Sequence, residues 1–162
     1  AMQFGKDAKS SIEVGCASDP FLKYLSWIDE RTCVAPYFVD YDGKTKNDTT
    51  AAITRVTADF MKYELPNNEK FDLLICSQVL EHVPDPSSFM KKLIDTAKTS
   101  VISVPFDWGD CGKVCNHVTH HITYEVLSKW SAPHKPIYRA IVTEGKSAGS
   151  KSRRLIVVYK NE

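Results

Sequence analysis

The chain has 162 residues, 43% of them hydrophobic and 25% charged, the profile of one folded domain that buries about two thirds of its unfolded surface without needing disulfides or metal. Its formal net charge is +1, from 21 Lys+Arg against 20 Asp+Glu, so it lacks the basic excess that phosphate-backbone binding draws on and no nucleic-acid partner is expected. Apolar runs such as Leu155-Ile156-Val157-Val158-Tyr159 are strand-sized and fall far short of the about 20 residues of a membrane-spanning helix, so no membrane partner is expected either.

Ser11-Ile12-Glu13-Val14 is a short β-type run ending at once in Gly15-Cys16-Ala17-Ser18, small residues that permit a tight turn. Asp19 then offers an N-cap with Pro20 at the first helical position, and Phe21, Leu22, Leu25 and Ile28 repeat at helical spacing, which predicts a helix. Tyr37-Phe38-Val39-Asp40 reads as a second strand with a carboxylate at its end. Between Ala51 and Phe60 both helix and strand fit the pattern, and a strand running to Ala58-Asp59 is preferred. Residues 71–76 are almost wholly apolar, as a central parallel strand buried on both faces should be.

Asp85-Pro86 repeats the cap-plus-proline signal, and Phe89, Met90, Leu93, Ile94 and Ala97 form an apolar helical face. Residues 100–104 are another buried strand closed by Pro105, and helical pattern returns after Thr123 up to Trp130. Two β-rich runs, 136–143 and 154–160, flank a segment rich in Gly and Ser and predict a hairpin. Strands alternating with helices predict an α/β fold: a Rossmann-like, mostly parallel sheet with helices on both faces and a C-terminal antiparallel hairpin, one domain over residues 1–162.

In such a sheet a ligand sits beyond the carboxyl ends of the strands. Gly15 allows the sharp turn there, Ala17 is small enough for close approach, and Asp40 stands 25 positions after Gly15, where a nucleoside-binding fold places a carboxylate for ribose hydroxyls. The Gly-x-Gly-x-x-Gly pattern is incomplete, with Ala17 and Pro20 in the later glycine places. Asp19-Pro20 would bring a negative charge and a missing N–H to where a pyrophosphate would bind, so a nucleoside without phosphates suits this loop better.

Together Glu13-Val14-Gly15-Cys16-Ala17, Val39-Asp40, Ala58-Asp59-Phe60 and above all Phe71-Asp72-Leu73-Leu74-Ile75-Cys76-Ser77-Gln78-Val79-Leu80-Glu81-His82-Val83-Pro84-Asp85-Pro86 resemble the class I S-adenosylmethionine-dependent methyltransferases over nearly the whole chain. The resemblance implies S-adenosyl-L-methionine as cofactor and S-adenosyl-L-homocysteine as product. It implies that Gly15, Cys16 and Ala17 pass under the methionine part, that Glu13 orients the loop or the amino group, and that Asp40 binds the ribose. Asp59 would meet the adenine amino group with Phe60 beside the ring, and Ser77 and Gln78 would line the methionyl side. The chain departs from the family in the missing glycines and in the absence of lid helices before the first strand, which implies an open site or a lid from a neighbouring domain. The Ala1-Met2 start reads as a tag-cleavage scar ahead of either a native start or a truncated one.

Methyl transfer is an in-line displacement, and a sugar or aliphatic hydroxyl acceptor benefits from a general base. The segment after the fifth strand concentrates candidates: four of the five histidines fall between His117 and His134, and Asp107 and Trp108 follow the strand-ending proline. The expected base is His117 or His121, with Asp107 as its polarising partner or as the base itself, while His82 reads first as a cap on the turn after the fourth strand and second as a group facing the acceptor. Cys111, Cys115, His117 and His121 have a metal-like spacing without the Cys-x2-Cys knuckle, and Asp107 and Asp110 offer carboxylates for a divalent cation. No metal ligand set is assigned. A looser resemblance to glycan-modifying enzymes points to a sugar hydroxyl as acceptor. Other small-molecule O-methylation, of quinone or phenol type, and a non-catalytic methyltransferase-like module are the alternatives. Five cysteines, an odd number without framework spacing, and no leader-like start predict a reducing, cytoplasmic location.

Overall fold

The computed structural model describes residues 1–16, 19–37, 52–110, 116–145 and 151–161. Its strands are β1 (Ser10–Val14), β2 (Glu30–Ala35), β3 (Ile53–Thr57), β4 (Phe71–Ser77), β5 (Ala97–Pro105), β6 (Tyr138–Gly145) and β7 (Lys151–Lys160), and its α-helices are α1 (Pro86–Thr96) and α2 (Tyr124–Ser131). They build one seven-stranded sheet in the order β3-β2-β1-β4-β5-β7-β6. β1 to β5 pair in parallel, with Val14 opposite Val34 on one side and Cys76 on the other. β7 runs antiparallel to both β5 and β6. The expected hairpin is present, but its returning strand takes the inner place: Val157, Val158 and Tyr159 are all buried, whereas Ile141 and Val142 on β6 are exposed at the sheet's edge.

Alternation along the strands divides the core in two. Ile12, Leu74, Ile102 and Val157 face the α1 residues Phe89, Met90, Leu93 and Ile94 and the α2 residue Leu127. Leu73, Ile75, Val101 and Val158 face the other way, toward Leu22, Leu25 and Ile28 with Phe4 beside them. The expected cap is present at α1, where Asp85 accepts the Ser88 N–H at 3.1 Å with Pro86 at the first helical position, and at α2 Thr123 caps the helix by accepting the Val126 N–H.

Two elements differ from expectation. The helix after Asp19-Pro20 is a single 3-10 turn, Phe21–Tyr24. Leu22, Leu25 and Ile28 do face the core while Phe21 is exposed, but the buried Glu13 carboxylate captures the Leu22 N–H at 3.0 Å and β2 begins at Glu30, so the segment closes in tight turns rather than extending an α-helix. The second strand is Glu30–Ala35, earlier than residues 37–40, and ends at Pro36, which has no N–H to continue a ladder. Tyr37 lies past its end, and residues 38–40 lie outside the described residues. The strand preferred between Ala51 and Phe60 is β3. The strand order reverses between β1 and β4, so the crevice for a ligand opens at their carboxyl ends, beside Gly15 and Gln78.

Candidate active site

At the end of β1, Gly15 has φ +81, and a Cβ there would come within 2.3 Å of Val79 Cγ2. Only glycine adopts that conformation without strain and leaves the space open. The Gly15 N–H donates to the Val34 carbonyl at 2.9 Å, and Cys16 is joined by a disulfide to Cys33 on β2, with Cα atoms 6.0 Å apart. Glu13 lies below the loop; burial pushes its carboxyl up to about 7, against the opposing hydrogen bonds from the Phe21 and Leu22 N–H groups. It orients the chain after the loop through the Leu22 N–H.

β3 leads into Asp59, whose carboxylate accepts the Met61 N–H at 2.9 Å and caps the 3-10 turn Phe60–Lys62. Phe60 is buried with its ring centroid 5.3 Å from that of Phe89. At the end of β4, Ser77 Oγ lies 2.8 Å from Ser103 Oγ, and Gln78, at φ 58, donates its backbone N–H to the Ser103 carbonyl. The Gln78 Oε1 accepts from Arg154, whose guanidinium lies 4.5 Å above the Trp108 ring.

Two cavities flank the glycine loop. The larger, about 670 Å³, is lined by Gly15, Asp59, Phe60 and Gln78 together with His82 and Asn116. The smaller, about 440 Å³, is lined by Glu13, Gly15, Cys16 and Ser77. Both are of ligand-pocket size. The expected cofactor residues are thus divided between two neighbouring spaces that share Gly15; Ala17 and Asp40 lie outside the described residues.

The acceptor-side expectations separate. Asp107 and His121 come together, His121 Nδ1 lying 3.0 Å from Asp107 Oδ1. Both have left-handed backbones, φ 53 and 52, held by the Asp107 N–H donating to Ile122 O at 3.0 Å and the His121 N–H donating to Trp108 O at 2.7 Å. Non-glycine residues kept in that region mark a constrained and often functional loop. Their side chains are exposed, 69% for His121 and 45% for Asp107. His117 instead packs edge-on against His82, with ring centroids 4.8 Å apart. Burial, and then the neighbouring His82, His120 and Arg154, hold its imidazole below the usual histidine range. His82, expected to cap a turn or to face the acceptor, lines the larger cavity. Its place directly after the strand-ending Ser77-Gln78, on the 3-10 turn Leu80–His82, was the available signal. Cys111 and Cys115 lie outside the described residues, and the Cys16–Cys33 crosslink was not foreseen from the odd cysteine count. No helix among the described residues is long and apolar enough to cross a membrane.

A parallel sheet with a glycine-turned first strand and a cleft over its switch point, walled by the acidic Asp59 and the aromatic Phe60, defines a nucleoside-cofactor α/β protein. The family model described as a methyltransferase domain matches residues 2–110, and the chain belongs to that family, the class I S-adenosylmethionine-dependent methyltransferases. The glycine loop without space for a Cβ and the two ligand-sized cavities beside it fit S-adenosylmethionine, the family's cofactor. Among solved structures the chain is similar to the N-methyltransferase NodS from Bradyrhizobium japonicum WM9 in complex with S-adenosyl-L-homocysteine, at 17% identity and TM-score 0.71, over 99% of this chain and 82% of that one. It is also similar to the N-terminal domain of EvdMO1 in the presence of S-adenosyl-L-homocysteine and D-fucose, at 12% identity and TM-score 0.66 over 99% and 79%. The [4+2]-cyclase SpnF superposes with TM-score 0.70 at 11% identity over 98% and 78%. At these identities the likeness is one of fold. No curated protein matches the chain.

Proposed function

We propose that this methyltransferase methylates a hydroxyl of a sugar or glycan, with His121 as general base and Asp107 as its polarising partner. The observation that carries this reading is the Asp107–His121 pair, exposed on the loop after β5 and joined at 3.0 Å. When bound, S-adenosylmethionine supplies a methyl on a sulfonium, so that an O–C bond forms as the C–S bond breaks and the sulfonium becomes a neutral thioether.

The Asp107 carboxylate accepts from Nδ1–H of His121, which leaves Nε2 with its lone pair to take the hydroxyl proton. Trp108, beside the pair and under the Arg154 guanidinium, offers a flat apolar face of the kind sugar rings pack against. Gly15 leaves room for the cofactor's methionine part, Gln78 and Ser77 border it, and Asp59 keeps carboxylate lone pairs for the adenine amino group beside Phe60. Glu13 and Cys16 hold the loop from beneath, and the same reading gives Ala17 the close approach and Asp40 the ribose hydroxyls.

The test is a labelled-methyl transfer screen against sugars, glycans and small phenols, with wild type and His121→Ala. An O-methylated sugar, lost about 100-fold in turnover by His121→Ala at unchanged S-adenosylhomocysteine affinity, is the expected result. A nitrogen-methylated or phenolic product overturns the acceptor assignment, and cofactor binding without transfer to any acceptor supports a non-catalytic module instead.

A further inference from the structure

We propose that Glu81, His82 and His117 bind one first-row divalent transition-metal ion at the mouth of the larger cavity, where the ion holds an oxygen of the acceptor. The role toward the acceptor rests on the methyl-transfer reading above; the binding of the ion does not.

One potential ligand atom from each of these three side chains lies within 4.8 Å of the other two. Two imidazoles and a carboxylate form a donor set that suits zinc, manganese, iron or cobalt better than magnesium or calcium, which favour oxygen ligands alone. The local fold assembles it. The turn Leu80–His82 follows β4, and the Glu81 carbonyl accepts the N–H groups of Val118 at 2.8 Å and Thr119 at 3.1 Å, which brings the later loop and its His117 over the turn.

Two independent observations point to a cation there. Glu81 is 1% exposed, and its Oε2 has no hydrogen-bond partner among the described residues; a buried carboxylate oxygen in that state calls for a counter-charge. His82 Nδ1 lies 3.1 Å from the Asn116 carbonyl oxygen. As the donor in that contact it leaves Nε2 as a lone pair with its ring orientation fixed, the arrangement that metal-binding histidines show.

Of the three ligands His82 lines the same cavity as Gly15 and Gln78, so an ion held on it borders the cofactor cleft. Three protein ligands with open positions are the pattern of catalytic rather than structural sites. The acceptor class that follows is a chelating oxygen pair, such as the vicinal diol of a sugar. Coordination lowers the pKa of the hydroxyl, whose proton still passes to His121 while the bonds made and broken are those already given.

The test starts from the full chain freed of metal by chelation and titrates it with Co2+, read by visible absorption. One equivalent is expected, with ligand-field bands that intensify on binding. Glu81→Gln, His82→Ala and His117→Ala should each weaken binding at least tenfold, and His134→Ala should leave it unchanged. Circular dichroism and thermal midpoint, measured on the same samples, should stay close to those of the wild type and serve as the check that each variant folds. If Glu81→Gln fails that check, the two histidine variants, at less buried positions, carry the test. No Co2+ binding, or binding insensitive to both histidine variants, overturns the site. Loss of the site with transfer intact sinks this proposal alone, whereas failure of methyl transfer with Co2+ still bound sinks the acceptor reading alone.

Discussion

The two lips of the cleft are built on opposite principles. On the β1 lip, Glu13 and Cys16 are buried, and Gly15 works by the side chain it lacks: the backbone turn, the Cys16–Cys33 crosslink and the Val79 side chain, which fills the place a Cβ would take, determine a shape. On the lip after β5, Asp107 and His121 are exposed, and two backbone hydrogen bonds hold protonatable groups in place. Changes to the first lip should therefore register in stability and cofactor binding, and changes to the second in turnover.

The sharpest way to break this contrast is Gly15→Ala. Left-handed strain at φ +81 and the clash with Val79 together cost about 4 kcal/mol, visible as a large fall in thermal midpoint and loss of S-adenosylhomocysteine binding by calorimetry. Gly109→Ala is its counterpart on the other lip: its Cβ would meet the His121 ring at 3.8 Å, an ordinary contact, and cofactor affinity should hold. Equal effects of the two would erase the distinction.

Next in size is Cys33→Ser, which removes a crosslink across 17 residues and should lower stability by about 3 kcal/mol. Intact mass after alkylation without reductant reports whether the pair is oxidised. A crosslink that persists in the protein as isolated from its native compartment would argue for an oxidising location over the cytoplasmic one read from the cysteine count.

Glu13 gives a pH signature of similar size. Its folded value of about 7 lies above the ordinary 4.5, so the fold favours the protonated form. The stability this contributes is full below pH 4.5 and is lost as pH rises through 7, by about 3 kcal/mol in all. Glu13→Gln should flatten denaturation midpoints across that window, and a slope that persists would place its cause elsewhere. The smallest effect belongs to the exposed lip: Asp107→Asn should reduce turnover about tenfold, equivalent to about 1.4 kcal/mol, with thermal midpoint and cofactor affinity unmoved.

The same contrast explains what could be read from residues alone. β4 and α1 were legible because an unbroken apolar run and a capped apolar stripe each admit one solution, and Gly15 because a strand ending in a small-residue turn announces a left-handed position. The segment after Asp19 misled because Leu22, Leu25 and Ile28 satisfy a helical period while burying equally well from consecutive tight turns. Only the Glu13 side chain, nine residues earlier in the chain than Leu22, decides between them. The second strand was misplaced by the apolar residues past Pro36, since pairing of Cys33 and Val34 with Glu13 and Val14 is a long-range choice. On the acceptor side, composition located the histidines but could not say that His121 would turn to Asp107 while His117 turned to His82; loop closure by the Glu81 carbonyl makes that division.

The position of β7 carries a consequence for biosynthesis. One strand closes two seams, pairing Thr99–Pro105 on one side and Tyr138–Gly145 on the other. Until it emerges from the ribosome, β5 presents an open edge that includes Val101, Ile102 and Val104, and β6 has no sheet to join. Such an edge is a template for pairing with other chains. The nascent protein should therefore depend on chaperone shielding until its last strand is made, and a chain truncated before residue 151 should aggregate rather than persist as a shorter domain.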